Sequence, residues 1–444
     1  MKPNSSVLAT KSEPLTRASL QARVDEIGFG PFQLSSIAIA GMALFFSGAI
    51  RHYFKVTGGE SADFLPSDHW ETLGFVTGCA IAAVAARLGR RPAVVIGLVL
   101  MGLCSYCASI AATATGVVLH SSFAQVGLGM CLPSVLCMSA EISPSMFKGS
   151  AVALAVSLTI VGEIYGILSE KILPPKNFCD SQICPIQIRL ECVSVPTVLA
   201  AVLAAVFLYE SPFALQEDLF SLNMTLRGME RENAKNLSPV NFVPSNDRTR
   251  KVRLEWDRVL ILGVLLGLAE TVLLAVPDTH AGTSAVVGIF GLVVAGVVGV
   301  HYLNPRLALI GCPFLISLAA GAGIVSVSHP DWLVVQDSVV FALCKTGALC
   351  LVLFSVIHVV SLRLDACERV RTLALAFGIG KLSALFYPLH IAWTTSEVAI
   401  AVMAAVAGIS ALYFLSEEAP EESGRLSERG RFGKIPIVPY GTSV

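Results

Sequence analysis

The chain has 444 residues, of which 54% are hydrophobic and 14% are charged, and its formal net charge is -1. Soluble proteins carry about 25% charged residues, so this composition and the mean hydropathy of +0.72 exclude an ordinary soluble protein. The near-neutral net charge gives no reason to expect a nucleic-acid partner. The sequence therefore predicts an integral membrane protein whose surroundings are a lipid bilayer.

Twelve apolar segments follow one another along the chain, and each is close to the ~20 residues that an α-helix needs to cross a bilayer. A polar N-terminal tail (1–31) precedes them, a polar central loop (211–256) separates six from six, and a polar C-terminal tail (416–444) follows. The sequence predicts an all-α membrane protein with one six-helix bundle in 32–210 and another in 257–415. The predicted spans are 32–50, 70–88, 92–112, 115–140, 149–172, 190–209, 257–276, 283–303, 307–327, 333–360, 371–393 and 396–415.

The distribution of Lys and Arg predicts the orientation of these spans, because cytoplasmic loops are enriched in positive charge. If the N-terminal tail is cytoplasmic, most basic residues outside the spans fall on the cytoplasmic side. The outer segments then contain only Arg51, Lys55, Lys171, Lys176 and Arg189. We expect both termini to be cytoplasmic, in the plasma membrane or in an organelle membrane.

The turn after the fourth span, PSVLCMSAEISPSMFKG, places an acidic residue and a Lys-Gly pair between two apolar segments. It resembles the P-x7-E-x6-RG pattern that joins the fourth and fifth helices in the major facilitator superfamily. The similarity is to the branch of sugar porters, organic-ion carriers and synaptic-vesicle glycoproteins. Pro133, Glu141 and Gly149 fit the pattern, and Lys148 stands where Arg is usual. The resemblance implies a twelve-helix fold and transport by alternating access.

Further stretches of the chain are similar to motifs of the same superfamily. ARLGRR (86–91) resembles a D-R-x-G-R-R turn without its acidic residue, and YESPFAL (209–215) resembles P-E-S-P-R-x-L. The resemblance implies a cytoplasmic gate of charged residues that hold the two halves together on one side. The alternative is that the basic residues only set the topology. The candidate gate residues are Arg87, Arg90, Arg91, Glu141, Lys148 and Glu210.

The chain also departs from the pattern of the superfamily. Ser47 occupies a position where many members of this branch carry Asp, and Ser121 or Ser122 falls where an intramembrane Arg is expected. These differences argue against proton coupling through those two positions. The second half lacks a clear counterpart of the acidic-basic turn, and the residues that could substitute for it are Asp365, Glu368, Arg369 and Arg371.

Four charged residues lie well inside predicted spans, where a charge costs roughly 3 kcal/mol or more. They are Glu163, Glu270, Lys345 and Lys381. Because opposite span directions place Glu270 and Lys345 at similar depth, we predict that these two face the central cavity and pair with each other. Lys381 is predicted to contact an anionic ligand or Glu163. The alternative is a static buried ion pair, or a Lys that extends towards the interface.

The twelve cysteines show no metal-site spacing, and most lie in apolar spans as small hydrophobic residues. Cys179 and Cys184 differ, because they lie close together in the predicted outer loop between the fifth and sixth spans. They could form a disulfide if the outer compartment is oxidising. No catalytic arrangement and no cofactor motif is visible, so an enzyme is not expected.

The sequence as a whole predicts a transporter of a small organic solute. An organic ion is the first choice, because acidic and basic groups remain in the membrane, and a sugar or another metabolite is the second. Protons are a candidate coupling ion. The alternative function is a membrane sensor or scaffold with this fold that no longer transports.

Overall fold

The computed structural model describes residues 11–58, 67–111, 113–172, 184–235, 237, 240–243, 256–275, 281–299, 304–328, 337–362 and 364–385. Long apolar helices dominate this part of the chain, because a helix satisfies all its backbone polar groups internally. Among the described residues, seven helices are long and apolar enough to cross a membrane.

The six predicted spans of the first half are confirmed as helices. They are α2 (Pro31–Gly58), α3 (Ser67–Ala85), α4 (Arg90–Ser109), α5 (Ala114–Glu141), α6 (Lys148–Ile172) and α7 (Cys184–Phe207). The main difference in bounds is that α2 and α7 extend well beyond the predicted spans.

The second half contributes five more predicted spans. They are α9 (Trp256–Ala275), α10 (Ala281–Val294) with a π-helical continuation (Ala295–Gly299), α11 (Pro305–Ser328), α12 (Asp337–Ser361) and α13 (Ala366–Leu385). The end of the predicted eleventh span and all of the twelfth lie outside the described residues.

The helices of each half pack closely on one another, and several helices of the two halves also pack together. In the first half α2 packs on α6, α3 on α5, and α4 on α5 and α7; in the second, α9 packs on α13 and α12 on α10 and α11. Between the halves, α3 packs on α13 and α6 on α10. One hydrophobic core therefore includes residues of both halves, such as Leu136 and Phe354.

Glycines allow the backbones of α2 and α6 to touch. A Cβ atom added at Gly162 would lie 1.8 Å from the carbonyl oxygen of Phe45, and one added at Gly48 would lie 2.0 Å from that of Thr159. Small residues are the usual means of close helix packing in membranes, where lipid removes most of the hydrophobic drive. The alignment of α2 and α6 therefore depends on these two glycines.

The N-terminal tail and the central loop fold together beneath one end of the bundle. Strand β1 (Lys11–Pro14) pairs in parallel with β2 (Val240–Val243), and helices α1 (Arg17–Ile27) and α8 (Leu219–Glu232) lie beside them. We call these four elements the cap, and the end of the bundle that they cover the cap face. The core of the cap comprises Leu20, Val24, Ile27, Phe32, Phe213, Leu222, Leu226, Met229 and Phe242.

We predict that Gly162→Ala lowers the stability of the protein, because its new methyl group would collide with backbone rather than with a movable side chain. Overpacking of this kind costs typically about 1–3 kcal/mol. The measurement is thermal unfolding of the purified protein in detergent. Gly311→Ala is the matched control, because a Cβ at Gly311 meets no atom within 4 Å. Equal melting temperatures for the two variants would contradict the close contact.

Candidate functional site

A buried carboxylate at the cap face is shared between the two halves of the protein. Glu141, the last residue of α5, is 0% exposed, and Arg90 of α4 is 1% exposed. Nη2 of Arg90 donates to Oε1 of Glu141 at 3.0 Å, and Nη1 of Arg369 in α13 donates to the same oxygen at 3.0 Å. The hydroxyl of Ser211 donates to Oε2 of Glu141 at 2.6 Å. Two cations from opposite halves therefore compensate one buried anion.

Further contacts hold the two arginines in place. Arg90 also donates to the backbone carbonyl of Ala366, at the start of α13 in the second half. The guanidinium of Arg369 lies 5.4 Å from the ring centre of Phe213, within the range of a cation–π contact. These contacts restrict both side chains to the positions from which they reach Glu141.

Glu210, in the same region, binds backbone groups at the start of α4. Its carboxylate accepts the backbone N–H groups of Arg90 at 2.9 Å and Arg91 at 3.0 Å, so it caps the N-terminus of α4. Gly89, the residue immediately before α4, has a φ of +105°, which favours glycine. A Cβ atom at Gly89 would lie 2.4 Å from the Glu210 carboxylate. Glu210 and Gly89 thus fix the start of α4, from which the side chain of Arg90 reaches Glu141.

The remaining predicted gate residues are placed elsewhere. Nζ of Lys148 donates to the side-chain oxygen of Gln21 in α1 at 2.6 Å. The side chain of Arg91 donates to the carbonyl of Ala205 in the same half, and Arg87 is exposed. Of the predicted set, the structure brings together Arg90, Glu141 and Glu210.

The cap is bonded to both halves. Asp25 of α1 accepts from the backbone N–H of Ser145 at 2.7 Å and from its hydroxyl at 2.8 Å, in the turn that follows α5. On the other side, the guanidinium of Arg17 donates to the carbonyls of Val360 and Leu362 at the end of α12. The cap therefore connects the first half to the second at the same end as the Glu141 network.

The four ionisable residues within the spans form two ion pairs. Lys345 of α12 donates to Glu163 of α6, so this pair joins the halves. Lys381 of α13 donates to Glu270 of α9, within the second half, and Nη2 of Arg51 in α2 lies 3.9 Å from Oε1 of Glu270. The predicted pairing of Glu270 with Lys345 was wrong, because α9 packs on α13 and so brings Lys381 to Glu270. Lys381, for which we predicted contact with an anionic ligand or Glu163, bonds to Glu270 for the same reason.

All four residues lie at one depth. Each is about 15 residues from the cap-face end of its helix, which corresponds to roughly 22 Å along the axis. The Glu163 and Lys345 side chains are 19% and 11% exposed, so this pair is accessible in part. Aromatic rings lie nearby: the ring centre of Phe341 is 6.0 Å from the Lys345 ammonium, and Tyr165 packs at 5.5 Å on Phe45.

Two places where the resemblance led us to expect charges hold neutral side chains. The hydroxyl of Ser47 donates to the carbonyl of Leu44, and those of Ser121 and Ser122 both donate to the carbonyl of Val118. Each serine therefore bonds to its own helix. Cys179 lies outside the described residues, so the disulfide with Cys184 stays a prediction. Within the described ranges, no group of three His, Cys, Asp or Glu side chains could hold a metal ion.

Comparison with known proteins identifies the fold. No protein-family profile and no curated protein sequence matches the chain. Among solved structures, the proton:xylose symporter XylE bound to 6-bromo-6-deoxy-D-glucose has a TM-score of 0.60 at 14% identity, covering 91% of this chain and 97% of that one. A double-tryptophan mutant of XylE gives 0.62 at 16% identity, with 87% and 95% covered.

Two other structures have the same architecture. The outward conformation of the transporter FucP gives a TM-score of 0.55 at 13% identity, covering 86% of this chain and 99% of that one. The human organic anion transporter MFSD10 gives 0.56 at 12% identity, with 87% and 99% covered. The described part of the chain has the fold of these transporter structures, and its seven long apolar helices support an integral multi-pass membrane protein.

We predict that Glu141→Gln destabilises the protein and loosens the cap face, because it leaves two buried arginines without a counter-charge. Removing one partner of a buried ion pair costs typically about 3–5 kcal/mol. Thermal unfolding measures the loss of stability. Reaction of the buried thiol of Cys137, one turn before Glu141, with a maleimide measures the opening, and mass spectrometry identifies the labelled cysteine.

The control for this prediction is Glu210→Gln. Its side-chain oxygen still accepts hydrogen bonds from the N-terminus of α4, so the loss expected for this weakened cap is about 1 kcal/mol or less. Similar effects of both variants on stability and on Cys137 labelling would show that Glu141 has no special role in joining the halves.

Proposed function

We propose that the protein is an alternating-access transporter of a small organic solute, with an organic ion as the preferred substrate. The proposal rests mainly on one observation: ionic contacts join the two halves at two levels. One level is the Glu141 network at the cap face, and the other is the Glu163–Lys345 pair roughly 22 Å above it. The positive charge of the segments at the cap face supports a cytoplasmic location for that face.

The Glu141 network is the proposed cytoplasmic gate. When the cap face opens, α13 must move away from α5, and the bond between Arg369 and Glu141 must break. Arg369 then becomes hydrated, whereas Glu141 keeps Arg90 of its own half as a partner. This change gives two discrete states, as a rocking transporter requires.

The Glu163–Lys345 pair is the proposed substrate site. A carboxylate of the solute can replace Glu163 at Lys345, or an ammonium can replace Lys345 at Glu163. Either exchange would break an ionic contact between the halves, so binding would be coupled to their relative motion. Glu270 and Lys381 lie at the same depth and are proposed to offer a second charged position for a solute or for a coupling ion.

Charge supports an organic ion over a sugar as the first choice. Sugars need neutral hydrogen-bonding groups, whereas ion pairs of partial accessibility offer full charges to a ligand. Two of the structural neighbours are a xylose symporter and an organic anion transporter, so the fold is compatible with both classes. A sugar or other metabolite is the second candidate.

Proton coupling is proposed through the acidic partners of these pairs. Protonation of Glu163 would remove the charge that holds Lys345 and would free it for an anionic solute. This route does not use the first-span position occupied by Ser47, whose hydroxyl bonds to its own helix.

The alternative function is a sensor or scaffold that no longer transports. It is favoured by the neutral residues at Ser47, Ser121 and Ser122, and by the lack of a clear acidic-basic turn in the second half. Labelling of single cysteines from each side of the membrane distinguishes the two functions. A transporter exposes its central residues alternately to both sides, whereas a sensor with one fixed conformation exposes them to one side.

We predict that exchange of the two charges, Glu163→Lys together with Lys345→Glu, restores stability but not transport. The comparison distinguishes a structural role of this pair from a role in substrate binding. Each single variant places two like charges together and should lower the melting temperature, and the double variant should restore it. If Lys345 binds a substrate anion, transport stays at least tenfold reduced in the double variant. Full recovery of both stability and uptake would show that the pair is only structural.

The test of the function itself is uptake into sealed vesicles that contain the purified protein. The panel comprises organic cations, organic anions, hexoses and phosphate, each with and without an inward proton gradient. We expect saturable uptake of an organic ion, at least tenfold reduced by Lys345→Met or Glu270→Gln. No uptake of any class by folded protein would favour the sensor or scaffold. Independence of the gradient would exclude proton coupling.

A further inference from the structure

Helix α8 has an exposed side that is both apolar and basic. Phe220 and Met224 are 77% and 55% exposed, and Arg227 and Arg231 are exposed as well. The four residues follow the spacing i, i+4, i+7 and i+11, so they form one stripe along the helix. We call Phe220, Met224, Arg227 and Arg231 the α8 stripe.

The stripe lies opposite the side by which α8 joins the cap. Leu222, Leu226 and Met229 are buried in the cap core and point the other way around the helix. Glu230 lies outside the stripe and bonds to Arg23 of α1, and Glu232 is also away from the stripe on the helix surface. Four helical positions thus combine two large apolar side chains and two cations with no acidic residue among them.

Two contacts place α8 beside the ends of two membrane spans, α7 and α2. A Cβ added at Gly228 of α8 would lie 3.7 Å from the ring of Tyr209, which comes just after the end of α7. The side-chain oxygen of Asn233, at the C-terminus of α8, accepts the backbone N–H of Phe32 at the start of α2 at 3.1 Å. Helix ends of spans mark the polar headgroup region, where amphipathic helices bind.

We propose that the α8 stripe binds the anionic headgroup surface of the adjoining leaflet. Phe220 and Met224 insert at the boundary between headgroups and acyl chains, and Arg227 and Arg231 bind the phosphate or carboxylate groups of anionic lipids. A soluble anion would use the arginines but would leave the two apolar side chains exposed to water. A lipid surface accounts for both the apolar and the basic residues of the α8 stripe. This proposal does not depend on transport activity.

The lipid contact would stabilise the cap. Because α8 is bonded to α1 through Arg23 and Glu230, and α1 reaches α12 through Arg17, lipid at α8 acts on an element that joins both halves of the protein. Anionic lipid should therefore raise the stability of the cap relative to that in a neutral bilayer.

The first experiment is photo-crosslinking of the full chain in nanodiscs of phosphatidylcholine with or without about one third phosphatidylglycerol. Benzoylphenylalanine replaces Phe220 or Met224, and the control site is the exposed Glu232 away from the stripe. We expect lipid adducts at 220 and 224, more with anionic lipid, and few at 232. Absence of lipid adducts at 220 and 224, or equal adducts at all three sites, would overturn the proposal.

The second experiment measures affinity for anionic lipid by native mass spectrometry of the delipidated protein. Each arginine near an anionic surface contributes about fivefold in binding, so Arg227→Gln and Arg231→Gln should each weaken phosphatidylglycerol retention by about that factor. Lys235→Gln, an exposed cation beyond the end of α8, is the matched control. Unchanged retention in both arginine variants, or an equal loss in Lys235→Gln, would contradict the stripe as the binding surface.

Discussion

The closed cap face depends on the ionic contacts that the buried carboxylate of Glu141 makes with Arg90 and Arg369. A buried charge is stable only when it is compensated, and here the compensation comes from Arg90 in the first half and Arg369 in the second. Separation of the halves therefore requires a change in charge compensation at a fully buried site. Glu210 supports this arrangement indirectly, because it fixes the start of α4 from which Arg90 extends. The contact between the halves at the cap face is thus electrostatic and local, whereas the contact between α3 and α13 and between α6 and α10 is close packing of helices.

Much of the fold could be predicted from the sequence, because bilayer thickness sets the length of each apolar segment. The charge network was predictable in part. Pro133, Glu141 and Gly149 form a recognisable pattern, and the position of Arg90 follows from the turn before α4. Arg369 was less visible, since the second half has no clear copy of that turn. The sequence predicted the similar height of Glu270 and Lys345 along their helices, but it did not predict their partners, which are Lys381 and Glu163. Residue spacing gives the height of a side chain along a helix, but its direction around the axis depends on which helices are neighbours.

The cap was missed for a different physical reason. Its helices α1 and α8 contain short apolar sets among many charges, so neither segment is apolar enough to stand out beside the membrane spans. Their buried residues become recognisable only when both are together: Leu20 and Val24 of α1 form one core with Leu222 and Met229 of α8. These segments are about two hundred residues apart in the chain. The parallel pairing of β1 with β2 depends on the same long-range approach.

The two levels of ionic contact also define an order of events for a transporter with this structure. The Glu163–Lys345 pair is partly exposed, whereas the Glu141 network is fully buried, so a solute can compete for the first and cannot reach the second. Binding at the upper level would release one ionic contact between α6 and α12 while the lower level still held. Opening of the cap face would still require the bond between Arg369 and Glu141 to break. A solute that replaces Glu163 at Lys345 would thereby reduce the total barrier, because the contact between Glu163 and Lys345 would already be exchanged.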